Sequence, residues 1–75
     1  MNKERRQRIR KVIQGLSAFS SELESIKDDE DDARESTPEN LQGSENYENS
    51  ERSSDIIGDA ISGLEEITDS LEEIT

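Results

Sequence analysis

Apolar side chains recur along this chain at alternating steps of three and four. Ile9, Val12, Leu16, Phe19, Leu23 and Ile26 form one series, widened by Ile13. Ile57, Ala60, Leu64, Ile67, Leu71 and Ile74 form a second, flanked by Ile56 and Ile61. Such spacing returns every member to one face of an α-helix, and no run of period two competes for a strand. Leu64-Glu65-Glu66-Ile67-Thr68 recurs as Leu71-Glu72-Glu73-Ile74-Thr75. A repeat of seven suits coiled-coil-like packing, so the two series together are read as the helix-packing seam. The predicted fold is all-α: an antiparallel two-helix hairpin in a single domain.

The segment between the two series is polar. From Lys27 to Asp55 the apolar side chains are Ala33, Leu41 and Tyr47. Ser36-Thr37-Pro38-Glu39 reads as a helix start, with Thr37 as N-cap and Pro38 in the first helical position. Gly43 can end the turn that follows, and Ser44 can cap the next helix. Helix 1 is therefore expected at about 3–34, the connection at about 35–44 and helix 2 at about 45–75. The alternative is a start of helix 2 at Ser54 or Asp55, with residues 46–53 mobile.

Charge changes the picture next. Residues 1–14 carry Lys3, Arg5, Arg6, Arg8, Arg10 and Lys11 against Glu4, a net +5, and residues 15–75 carry a net −16. With 27% hydrophobic and 39% charged residues, composition alone sits near the disordered class, and the periodicity overrides it. The basic start of helix 1 opposes its own macrodipole, as do Glu65, Glu66, Glu72 and Glu73 at the end of helix 2. An antiparallel hairpin with Ile9 near Ile74 and Phe19 near Leu64 brings those two ends together. Two helices cannot cover both stripes fully, so a homodimer forming a four-helix bundle, or docking on a larger partner, is expected.

Candidate chemistry is sparse. There is no His and no Cys, which removes the usual general base near neutral pH, thiolate nucleophiles and Cys- or His-built metal sites. The chain is read as a binding protein and not an enzyme, with no catalytic residue, cofactor or metal. The absence of Cys suits a reducing cytosol. No run approaches the roughly 18 apolar residues that cross a bilayer, and no secretory apolar region follows the basic start. Asp28-Asp29-Glu30-Asp31-Asp32 lacks the Gly and terminal Glu spacing of an EF-hand. With Glu35, those residues are read as an acidic partner-binding face, the solvated surface being the plain alternative. The basic run from Lys3 to Lys11 is read as a solvated face opposite the acidic end of helix 2, since the net charge repels nucleic acid. Phe19 is expected in the core, and Leu41 and Tyr47 are candidate anchors at an interface. Gly15, Gly58 and Gly63 are expected where helices approach closely.

Met1-Asn2-Lys3-Glu4-Arg5-Arg6, the acidic run, and Pro38-Glu39-Asn40-Leu41-Gln42-Gly43-Ser44-Glu45-Asn46-Tyr47-Glu48 resemble a family of short helical-hairpin proteins of phages and prophages of Gram-positive bacteria. The likeness covers nearly the whole length and rests chiefly on the Pro-Glu-Asn-Leu-Gln-x-Ser connection. The chain departs from the pattern at Asn46, where a basic residue is common, and in its more polar stretch 49–54. The resemblance implies an accessory protein in the cytoplasm of a bacterial host, acting on a host protein. Its acidic rod, about 45 Å long at the helical rise, would then imitate DNA in the basic groove of a CRISPR nuclease, restriction enzyme or other DNA-binding factor. The alternative is a structural or assembly role through helix bundling without mimicry.

Overall fold

The computed structural model describes all 75 residues. Two long helices, α1 (Lys3–Glu35) and α2 (Glu45–Glu72), fold back on each other as an antiparallel hairpin. The rod measures 60 × 15 × 12 Å, longer than the two apolar series alone imply, because α1 continues through the whole acidic run.

Local signals set the helix ends. The Asn2 side chain accepts the Arg5 backbone N–H at 2.8 Å, which satisfies one of the unpaired donors of the first turn. Ser44 does the same for Tyr47 at 3.2 Å, so α2 starts at Glu45 and not near Ser54. Residues 46–53 are helical. Arg34 lies in the last turn of α1, where a cation suits the helix dipole. The connection holds one 3-10 turn, Glu39–Leu41. Pro38 precedes that turn in extended conformation, and no side chain caps it, which corrects the expected roles of Thr37 and Pro38. The α-helix proper of α2 ends at Glu72, and the backbone tightens into i→i+3 bonds at Ile74 and Thr75.

The seam differs from the expected one by one row. Ile9, Leu16 and Leu23 face Ile57, Leu64 and Leu71 as anticipated, all half-buried. The second row that lines the seam is Ile13, Ser20, Lys27 and Arg34 on α1, with Ser54, Ile61 and Thr68 on α2 and Thr75 just past its end. The expected second row points away: Val12, Phe19, Ile26, Ala60, Ile67 and Ile74 are exposed. Phe19, expected in the core, is 66% exposed. Each helix is thus turned about 50° from the expected orientation, since neighbouring residues lie about 100° apart on the helix. Small Ser20, Ser54 and Thr68 let the backbones approach along the new row. A polar cluster at the connection end, described below, fixes the rotation.

Cross-seam pairs set the register. Arg10 reaches the Thr75 carbonyl at 3.2 Å, Ser54 bonds Asp31, and Lys27 runs beside Gly58. Facing residue numbers therefore sum to about 85, roughly two residues from the expected pairing. No apolar side chain is fully buried; Ser54, at 3% exposure, is the one buried residue.

Candidate functional site

The densest constellation of polar groups lies at the connection end, built from about two turns of α1 and the first half of α2. Spacings of four and three on α1 bring Lys27, Asp31 and Arg34 onto one face. Lys27 Nζ donates to Asp31 Oδ2 at 2.9 Å, and Arg34 Nη2 donates to Asp31 Oδ1 at 2.6 Å. Ser54 Oγ donates to the same Oδ1 at 2.6 Å while accepting from Arg34 Nη1 at 2.9 Å. The same Nη1 also reaches Ser50 Oγ at 3.1 Å. No buried side-chain polar atom is left unpaired.

These bonds set the protonation states. The Ser54 hydroxyl, then Lys27 and Arg34, hold the Asp31 carboxyl well below the usual carboxylate range. Hydrogen bonding to Asp31 raises Lys27 and Arg34 in turn, so both stay cationic. An aspartate so saturated with donors is a poor proton acceptor; the cluster fastens α1 to α2. Sequence reasoning missed Lys27, Arg34, Ser50 and Ser54. The i,i+4 and i,i+3 spacing about Asp31 was the available signal for the α1 part.

The acidic run is accordingly divided. Asp28, Asp29, Asp32 and Glu35 are exposed, joined across the connection end by Glu39, Glu45, Glu48 and Glu51. Glu30 is half-buried on the seam row. Asp31 is committed to the cluster, so its expected place on a free acidic face is corrected. Residues 22–59 hold 14 carboxylates against Lys27, Arg34 and Arg52, a net −11, whereas 1–21 and 60–75 together are neutral.

At that neutral, open end the expected ion pairs between the basic start and the acidic finish do not form. The two salt bridges of the chain both use Asp31. Glu65, Glu66, Glu72 and Glu73 are exposed and lie on the outer side of α2, one or two positions beyond Leu64 and Leu71. Opposite charge is shared by the end without direct contact.

A second surface is apolar. Val12, Phe19 and Ile26 run along α1 at intervals of seven, as do Ala60, Ile67 and Ile74 along α2. With the register above, they stack into three levels: Val12 with Ile74, Phe19 with Ile67, and Ile26 with Ala60. Helical geometry turns both rows to the same side of an antiparallel pair whose seams lie as observed. Ile56 lies further round α2 and is 60% exposed. At the open end Met1, Arg5, Arg8, Ile9 and Val12 line a shallow groove of about 530 Å³ that continues the face.

Leu41 and Tyr47, the candidate anchors, do come together. With Ala33, Thr37 and Ser50 they line an open notch of about 380 Å³ at the connection. Close helix approach, expected at all three helical glycines, is required at none: a Cβ at Gly58 would meet only Lys27 Cε, at an ordinary 3.5 Å, and Gly15 and Gly63 face open space. No three acidic side chains gather in a way that could hold a metal ion, and no helix is long and apolar enough to cross a membrane. Comparison with protein-family models, with curated proteins and with solved structures finds no match.

Proposed function

We propose that this chain is a non-catalytic interaction protein that works by helix bundling, its exposed apolar face being completed by further helices in a four-helix arrangement. The observation that carries this reading is the pairing of an open three-level apolar face with a hairpin that buries no apolar side chain fully. A hairpin of this size without Cys, and so without a disulfide, gains its missing burial by association. Sedimentation and circular dichroism of the full chain test it. Helical homodimers at micromolar concentration, lost in Phe19→Asp and Ile67→Asp, are the expected result. A compact, cooperatively folded monomer at about 100 µM, well above a micromolar dissociation constant, overturns it.

A second reading is favoured by the net −11 of residues 22–59. In it, the resemblance to phage proteins carries weight, and the acidic connection end occupies the basic groove of a DNA-acting defence enzyme in the bacterial host cytoplasm. The residues offered to the groove are the exposed Asp28, Asp29, Asp32 and Glu35, with Leu41 and Tyr47 as a small apolar anchor. Inhibition of such an enzyme would then weaken steeply with salt, because exposed charges are screened over about 8–10 Å at physiological ionic strength. Charge reversal at Asp28, Asp29 and Asp32 abolishing inhibition supports mimicry. Survival of inhibition through that reversal, with loss on changing Tyr47, rejects it.

A further inference from the structure

The open face is nearly symmetric about its middle level, and that symmetry says how a second copy sits on it. On α1, Val12 and Ile26 are equidistant from Phe19; on α2, Ala60 and Ile74 are equidistant from Ile67. The cross-seam pairs place Phe19 and Ile67 at one level of the rod. A two-fold axis through that level, running across the rod, returns both rows to themselves with direction reversed. Closed two-fold pairing of one surface with itself is the commonest form of protein association.

We infer that two copies pair face to face with their connection ends at opposite ends of the bundle, α1 lying antiparallel on α1 of the second copy and α2 on α2. This rests on the bundling reading above and adds the arrangement.

Three observations support pairing through this face, and the first of them favours this arrangement over one with both connection ends together. The first is charge. Connection ends placed side by side would bring two segments of net −11 together, whereas the crossed arrangement puts each beside a neutral open end. Along α1 the residues that face each other sum to roughly 38 in number, as antiparallel pairing about Phe19 requires. Arg8 then lies at the level of Asp29 and Glu30 of the second copy, and Arg5 at the level of its Ala33, next to Asp32. The basic start of α1, which found no ion pair within its own chain, meets the acidic run of the other.

The second is space. Gly15 and Gly63 border the face, each with nothing within 4 Å of an added Cβ. Glycines that serve no close approach within the hairpin become the edge over which a second backbone can settle.

The third is overlap. With the axis at Phe19, the middle of α1, the paired rods overlap along their whole 60 × 15 Å side, and the apolar levels from Val12 to Ile26 span about 21 Å at the centre of that overlap.

The chain contains no Cys, so single cysteines report neighbours cleanly. Phe19→Cys should cross-link to itself with a short bismaleimide at low protein concentration, and a mixture of Val12→Cys and Ile26→Cys should cross-link to each other. The opposite arrangement lays α1 on α2, so a Phe19→Cys and Ile67→Cys mixture would cross-link in place of Phe19→Cys alone; that result overturns the inference while leaving bundling intact. Charge exchange supplies an independent arm in the otherwise unmodified chain. The double variants Arg5→Glu/Arg8→Glu and Asp29→Lys/Asp32→Lys should each dimerise more weakly by about tenfold or more, because the Arg5 and Arg8 levels then set like charges against Asp29 and Asp32 positions. Mixed one to one, they should recover the parent affinity. Failure of the mixture to recover overturns the arrangement, and a monomer in every sample overturns the bundling reading with it.

Discussion

Between Ile9 and Leu23 on α1, and between Ile57 and Leu71 on α2, the seam is lined mainly by branched aliphatic side chains. Further toward the connection the same helical positions hold Lys27, Arg34, Ser50 and Ser54, with Asp31 set beside them. One spacing thus serves two chemistries. The aliphatic half supplies most of the favourable transfer free energy, which is non-directional and tolerates small rotations of one helix on the other. The polar half tolerates none, because its bonds have lengths and angles to satisfy. A two-helix pair stabilised only by its aliphatic half could settle on either of two neighbouring rows; the Asp31 cluster selects one.

Substitutions in the aliphatic half should have the largest effect. Leu16→Asp or Leu64→Asp places an unpaired carboxylate between the helices and should cost about 3 kcal/mol or more, enough to abolish the cooperative melt. Circular dichroism checks it. Phe19→Asp, on the open face, should by contrast leave the melt of dilute monomer nearly unchanged. Equal loss in both would mean that the rotation described here is wrong.

From the polar side the effects are smaller. Arg34→Ala removes the donor that joins Asp31 to Ser50 and Ser54. It should lower the thermal midpoint by several degrees, and nuclear magnetic resonance should show Phe19 ring signals that sample more than one environment, since the rotation is no longer fixed. Ser54→Ala should cost about 1 kcal/mol, the usual net value of a hydrogen-bonded hydroxyl, measured by denaturant unfolding.

Acid titration isolates Asp31. Its pKa is lower folded than unfolded, so its contribution is complete above the unfolded value of about 3.9 and is lost as pH falls below that value toward the folded one. The stability difference between the parent and Asp31→Asn should therefore be constant at pH 5–8 and shrink below pH of about 4.

The smallest effect should be a gain. Gly58→Ala meets only the flexible Lys27 Cε at ordinary contact distance. The better helix former should stabilise by about 0.5–1 kcal/mol, read from the same denaturant curves.

Helix type, number and direction were legible in the residues because heptad spacing and the Ser44 cap act locally. The row was not. Val12, Phe19 and Ile26 outrank Ile13, Ser20 and Lys27 in apolarity, so periodicity alone chooses the former for the seam. What overrides it is a set of contacts 16 to 23 residues apart in sequence, Arg34 with Ser50 and Ser54 and Ser54 with Asp31. Nothing in the local pattern of α1 announces that serines lie opposite. The acidic run was misread for the same reason: five consecutive carboxylates look equivalent until one of them finds a partner on the other helix.

That no apolar side chain is fully buried bears on how this protein should denature. The heat-capacity increment and the denaturant slope of unfolding both scale with the surface newly exposed. For one hairpin both should fall below the usual size, which is about 12–15 cal/mol/K per residue for the heat capacity of globular proteins. Its melting should then be broad, its stability curve flat with temperature, and cold denaturation remote. Association through the open face would restore the missing exposure, so both quantities should rise with protein concentration, and the steepness of the unfolding curve becomes a gauge of how many helices share a core.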